Sequence, residues 1–221
     1  LPARYLRRDL HIKKAIRRAT AYVCGLGFFD LFLNGKKVGD HIRDPGLTDY
    51  NQHALYVTFD ITEHLFQNEN TIGVILGNGR FFAPRTSAHL DTRTYGFPKL
   101  LIQMHIEYED GTAEDVVSDE SWIITTEGPI RSNNEYDGEE YDARMEQDGW
   151  DKPGFNSSEW QQVQLVEAPT GFVQAQKIEP MRVTERIRPK RITNPKPGMY
   201  LVDMGQVFYG SVRLKVRGPE G

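Results

Sequence analysis

Four carboxylates, Asp137, Glu139, Glu140 and Asp142, fall within six residues of one another in the run Tyr136-Asp137-Gly138-Glu139-Glu140-Tyr141-Asp142-Ala143-Arg144. A pair of carboxyl groups is what glycoside hydrolysis uses, one of them holding a raised pKa. Such a pair needs a separation of about 6.5–9.5 Å for inversion or about 5–5.5 Å for retention. Spacing in a sequence does not establish either distance. In an extended segment Asp137, Glu139 and Tyr141 share one face, while Glu140 and Asp142 share the other. Sugar or cation binding and structural hydrogen bonding both remain open for this run. A second group, Asp49, Tyr50 and Asn51, follows Asp44-Pro45-Gly46 and supplies a carboxylate, a flat aromatic and an amide in one short loop. Those groups suit an array of sugar hydroxyls, and equally a capped turn with a ring packed on the sandwich edge. The third group is Gly77-Asn78-Gly79-Arg80-Phe81-Phe82. No Gly-Lys-Ser/Thr follows its glycines, so it is not a phosphate loop. Arg80 can fork onto sugar oxygens or pair with a nearby acid. The candidate carbohydrate-binding residues are therefore Asp49, Tyr50, Asn51, Asn78, Arg80, Asp137, Glu139 and Glu140.

Other chemistries lack their residues. The histidines, His11, His41, His53, His64, His89 and His105, form no His-x-x-x-His pair, and the single cysteine, Cys24, cannot complete a zinc pattern. Cys24 lies in an apolar run and reads as a small buried hydrophobe. No Gly-x-Ser-x-Gly elbow occurs. The net charge of −4 comes from 31 acids against 27 bases, with no basic block interleaved with aromatics, so nucleic acid is not an expected partner. No stretch approaches the ~20 apolar residues of a membrane span, and no membrane is expected as a partner. The abrupt first residues, Arg4-Tyr5-Leu6-Arg7-Arg8, read as the middle of a folded region and suggest a piece of a longer protein.

The elements that must position these loops are strands. Over 99–109, Leu100, Ile102, Met104, Ile106 and Tyr108 alternate with Leu101, Gln103, His105, Glu107 and Glu109, which predicts a strand with one buried face. Asp110-Gly111 then predicts a hairpin into 112–117, and Asn34-Gly35 predicts another between 28–33 and 36–38. Further strands are expected at 15–23, 55–59, 71–76, 121–125 and 160–166, with one helical turn over 60–65 that Asp60 or Thr62 can cap. Tyr136 to Arg144 and Gly46 to Tyr50 follow neither period and read as shaped loops. Many short antiparallel strands without helical intervals predict an all-β, jelly-roll sandwich of the galactose-binding-like type over 1–168. Pro180, Pro189, Pro195 and Pro197 mark an expected linker over 169–198. Strands at 199–203 and 211–216 would open a second, truncated β domain over 199–221.

Taken in order, these phrases resemble the N-terminal part of bacterial α-L-rhamnosidases of glycoside hydrolase family 78. The matching run begins with Gly25-Leu26-Gly27, Leu33-Asn34-Gly35-Lys36-Lys37-Val38-Gly39-Asp40 and Pro45-Gly46-Leu47-Thr48-Asp49-Tyr50. It goes on through Tyr56-Val57-Thr58-Phe59-Asp60-Ile61-Thr62, Leu76-Gly77-Asn78-Gly79 and Gly128-Pro129-Ile130. It closes with Tyr136-Asp137-Gly138-Glu139, Tyr141-Asp142-Ala143-Arg144, Gly149-Trp150 and Asp203-Met204-Gly205-Gln206. Leu47, Arg80 and Phe208 depart from the more usual aromatic, tryptophan and small residue. The resemblance implies a multidomain inverting enzyme that removes terminal α-L-rhamnose from glycans or glycosides. Its catalytic acids would lie on a later (α/α)₆ barrel, so no catalytic residue carries over to this chain. It implies an accessory sandwich here, in some members a rhamnose-binding module that uses calcium, with the parent's other domains as partners. A purely structural domain bracing the barrel is the alternative. The resemblance points to a periplasmic or secreted setting for the parent and leaves a cytoplasmic one open.

Overall fold

Alternation over residues 99–109 becomes a strand in the computed structural model, which describes residues 1–84, 94–215 and 217. Lys99–Tyr108 (β7) buries Ile102, Met104, Ile106 and Tyr108 and exposes Leu101. The Asp110-Gly111 turn, with Gly111 at φ 80°, joins it to Ala113–Val117 (β8). The left-handed conformation of a hairpin turn is one that glycine adopts without a Cβ clash. At the other expected turn, Asn34 and Gly35 both take positive φ between Phe29–Leu33 (β3) and Lys36–Lys37 (β4).

Two sheets form around these hairpins. One has five strands in the order β13-β5-β2-β7-β8, adding Ile16–Leu26 (β2), His53–Asp60 (β5) and Phe172–Ala175 (β13). β13 runs parallel to β5. The other has six in the order β12-β9-β1-β6-β3-β4, adding Arg4–Ile12 (β1), Asn68–Leu76 (β6), Ile123–Thr125 (β9) and Gln161–Gln162 (β12). Ala19, Ala21 and Val23 of the first sheet meet Leu31, Leu33, Ile72 and Val74 of the second in one core, with Trp122 buried at its edge. The result is the expected jelly-roll sandwich, and each large aliphatic side chain buried in it stabilises by roughly 1.5–3 kcal/mol. A one-residue slip of β7 would turn Met104 and Ile106 to solvent.

Several elements differ from expectation. β1 carries no clear strand signature because Arg4, Arg7 and Arg8 interrupt its alternation; Arg7 is nevertheless fully buried, donating to the Trp150 carbonyl at 3.1 Å and pairing with Asp9. The strand expected over 160–166 reduces to β12, because its partner β9 offers only Ile123 and Ile124 for pairing. Tyr136 to Arg144 is not wholly loop: Ile130–Asn134 (β10) and Gly138–Tyr141 (β11) form a two-stranded ribbon, followed by a 3₁₀ turn, Ala143–Met145. The expected helical turn is a 3₁₀ turn, Thr62–His64, entered through Asp60 Oδ1, which accepts the Thr62 N–H at 3.0 Å. Within the proline-punctuated stretch, β13 and Arg191–Lys196 (β14) are both strands.

The described residues divide into two compact units, Leu1–Arg182 and Val183–Gly221. In the second, β14 pairs with Met199–Asp203 (β15) through Pro197-Gly198, with Gly198 at φ 76°. Pro195 sits where the register shifts, the kind of irregularity that tolerates a residue without an N–H. No strand forms over 211–215, which find no pairing partner among the described residues, and Val216 lies outside them.

Candidate functional site

β6 ends in Gly77, Asn78 and Gly79, and this turn is tied to both of its neighbours. Gly77 N–H donates to the Phe28 carbonyl at 2.7 Å, and Glu135 N–H donates to the Gly79 carbonyl at 3.2 Å. A Cβ at Gly79 would lie 2.9 Å from the Phe28 nitrogen, so only glycine permits the approach. Asn78 is buried beneath the turn. Its Oδ1 accepts from Arg4 at 2.8 Å, and its Nδ2 donates to the carbonyls of Leu1 and Asn133 at 2.6 and 2.7 Å. Its backbone N–H donates to Asn133 Oδ1 at 2.7 Å. The amide chosen from sequence as a sugar contact is thus spent on holding the ribbon against the sandwich.

A cleft of about 340 Å³ opens here, lined by Phe28, Ile42 and Arg43, by Gly77 and Gly79, and by Asn133 and Glu139 of the ribbon. Asn133 and Glu139 are cross-strand partners, so their side chains share a face. Burial pushes the Glu139 carboxyl above the usual glutamate range. Asn133 keeps its Nδ2 buried with no hydrogen-bond partner, an unpaired donor of the kind that costs free energy until a ligand or water meets it. Arg43 holds φ 60°, and its guanidinium makes no hydrogen bond or ion pair among the described residues. A solvent-facing carboxyl, an unpaired amide donor, an available cation and the ring of Phe28 can together bracket a small polyhydroxylated ring.

The remaining sequence candidates are placed as follows. Glu140 lies on the opposite face of the ribbon from Glu139, accepting from Ser132 Oγ at 2.9 Å, so the two do not face each other as a catalytic pair. Asp137 closes the hairpin turn, accepting Asn134 Nδ2 at 2.8 Å. Asp142 binds Arg144 and sits near the bottom of the carboxylate range, at about 2, chiefly because of that hydrogen bond. Arg80 lies 3.7 Å from Glu135 and 5.4 Å from the Tyr136 ring centroid, at the rim of the ribbon. Asp49 caps its own turn, accepting Asn51 N–H at 3.1 Å and Gln52 Nε2 at 2.8 Å; Asn51 is exposed beside it. Tyr50 is buried in a second small core with Cys24, Leu26, Ala54 and Phe81, and burial above all pushes its phenol up to about 12. Burial likewise raises the Cys24 thiol to about 11. Of the eight candidates, then, Glu139 lines the cleft, Glu140 and Asp137 belong to the same ribbon, and Arg80 lies beside it. Arg43 and Asn133 were not selected from sequence. The Asn133-Asn134 pair before Tyr136 was the available signal, since consecutive amides are costly in a strand without a ligand or a turn to serve.

A broader depression of about 650 Å³ is lined by Arg17, Arg18, Asp60, Thr62, Glu63, His64 and Glu107. Arg17 is already paired with Glu107 and Asp60 with Thr62, which leaves it less to offer a ligand. Among the described residues no three His, Cys, Asp or Glu side chains gather round a common point. Among the described residues no carboxylate-rich calcium shell is assembled. His89 lies outside the described residues.

A family profile described as the alpha-L-rhamnosidase N-terminal domain matches residues 14–185. The chain belongs to that family. An alpha-L-rhamnosidase of Formosa agariphila is 37% identical to it over 224 residues, covering 99% of this chain and 23% of that protein. The solved alpha-L-rhamnosidase of Dictyoglumus thermophilum is 42% identical with TM-score 0.84, covering 93% of this chain and 22% of the other. The Streptomyces avermitilis alpha-L-rhamnosidase, solved in complex with L-rhamnose, is 34% identical with TM-score 0.80, covering 93% and 20%. This N-terminal region therefore spans about a fifth of the length of the relatives it matches.

Proposed function

We propose that this chain is a non-catalytic accessory β-sandwich region of an α-L-rhamnosidase that hydrolyses terminal α-L-rhamnose from glycans or glycosides. In this reading the cleft between the 42–43 segment and the β10–β11 ribbon assists by binding carbohydrate. The observation that carries it is the cross-strand pair Asn133 and Glu139, which presents an unpaired buried donor beside a surface carboxyl whose pKa partial burial raises. A sugar hydroxyl can accept from the first and donate to the second. The split of Glu139 and Glu140 onto opposite faces supports binding over hydrolysis at this ribbon.

Affinity electrophoresis through a rhamnose-bearing polysaccharide tests the reading. The wild-type chain should be retarded, and Arg43→Ala and Asn133→Ala should run as in a sugar-free gel. Equal retardation of wild type and both variants would remove the cleft from the account. The bracing alternative is favoured by one observation: in the second unit, Tyr200, Leu201, Val207, Tyr209, Val212 and Leu214 are all exposed, an apolar surface suited to neighbouring protein.

A further inference from the structure

One rim of the cleft, residues 40–46, is tied to the last segment of the first unit by a cluster of charged groups around His41. Ile42 N–H donates to the Met181 carbonyl at 2.9 Å, and Gly46 N–H donates to Gln176 Oε1 at 2.8 Å. Gln176 N–H in turn donates to the Tyr56 carbonyl at 2.9 Å, anchoring the start of this strap to β5. At the strap's end, Arg182 Nε donates to Asp40 Oδ1 at 2.7 Å, and Arg182 Nη2 lies 2.8 Å from His41 Nε2. His41 Nδ1 lies 2.6 Å from Oδ2 of the buried Asp44.

Chemistry fixes the protons in this arrangement. A guanidinium only donates, so Nε2 must be the unprotonated, accepting nitrogen of the ring. The Asp44 carboxylate only accepts, so the single ring proton sits on Nδ1. His41 is therefore held neutral, in the Nδ1–H tautomer, between an acceptor and a cation. The other charged groups facing it are Asp40, whose Oδ1 is 4.0 Å from Nε2, and Lys37, which donates to the His41 carbonyl at 3.1 Å and pairs with Asp30. The Phe59 ring packs tilted against the imidazole at 5.4 Å between centroids, and the His41 side chain is 15% exposed.

We infer that His41 is the proton-sensitive pin of a clasp that ties the strap 176–182 to the 40–46 rim of the cleft. Protonation at Nε2 removes the lone pair that Arg182 uses and places two cations in contact. The new N–H then faces Asp40, so His41 takes Asp40 as partner and Arg182 is displaced. The Ile42 to Met181 hydrogen bond, next to both partners, loses its support, and the rim that carries Ile42 and Arg43 loosens. Histidine is the side chain that ordinarily changes charge between pH 5 and 8, so these two pH values bracket the test.

The test reads the clasp itself and is independent of any sugar. In the full chain, ¹⁵N shifts of the His41 ring at pH 8 should show a protonated Nδ1 and an unprotonated Nε2; an Nε2–H tautomer would overturn the inference. Hydrogen exchange at the Ile42 amide, corrected for intrinsic rates, should lose about tenfold in protection between pH 8 and pH 5. Arg182→Ala should already show the low protection at pH 8 and change little on acidification. His41→Gln should keep high protection at both pH values. Unchanged wild-type protection across this range, or the same loss in Arg182→Ala as in wild type, would sink it.

Discussion

Replacing Asn78 by alanine separates a structural amide from a ligand contact. The side chain is 1% exposed and makes three hydrogen bonds, to Arg4 at 2.8 Å, to Leu1 at 2.6 Å and to Asn133 at 2.7 Å. At a net value of ~1 kcal/mol each, their loss comes to ~3 kcal/mol. Leu1 is exposed, so water can replace that partner, which brings the expected cost to about 2–3 kcal/mol. For a domain of this size each kcal/mol lowers Tm by roughly 2–4 °C, so the variant should melt about 5–10 °C below wild type. Scanning calorimetry with a parallel urea titration gives both numbers. The variant should lose sugar retention only to the extent that it is unfolded. A melting temperature within about 1 °C of wild type, with sugar binding abolished, would refute the structural assignment and make Asn78 a contact residue.

Glu139→Gln removes a carboxyl whose folded pKa is raised by burial. A raised acid is favoured in the folded state while protonated, and that advantage is lost as pH rises through its folded value. The variant should therefore melt slightly above wild type at pH 7 and level with it near pH 4; equal melting at both would contradict a raised pKa for that carboxyl. Gly27→Ala places a side chain at φ 124° and onto the Gly77 carbonyl oxygen, and strain of about 1–3 kcal/mol should lower Tm by several degrees in a thermal melt. Unaltered melting would mean that this crossing of 27 over 77 is looser than its geometry. Asp137→Ala forfeits one exposed hydrogen bond to Asn134, worth ~1 kcal/mol at most, so Tm should fall by no more than a few degrees and retention on rhamnose should persist.

Local signals carried the parts of the fold with strong alternation or a turn dipeptide. Ile102, Met104 and Ile106 announced β7, and Asp110-Gly111 and Asn34-Gly35 announced their hairpins, because a buried face and a left-handed turn each restrict residue type. β1 was hidden because Arg7 is a charge buried by partners far along the chain, Trp150 among them. The β10–β11 ribbon was hidden because Arg131, Ser132, Asn133 and Asn134 have little intrinsic strand preference and are ordered by pairing and by Asn78. The same dependence on tertiary partners explains the candidate site. Glu139 was chosen for its charge, yet its role rests on lying opposite Asn133. Asn78 and Tyr50 were chosen for chemistry that burial then removed from solvent. Arg43 carried no local signal, since it owes its place to the loop that His41, Asp44 and Met181 hold.

Titration calorimetry of the folded chain with L-rhamnose, run once in calcium and once in chelator, and repeated with Asn133→Ala, bears most directly on the carbohydrate-binding reading. The account predicts saturating heat from the wild-type chain in both runs and its loss in the variant. No heat from wild type in either condition, or undiminished heat from Asn133→Ala, would contradict a sugar site in this cleft and favour the bracing role.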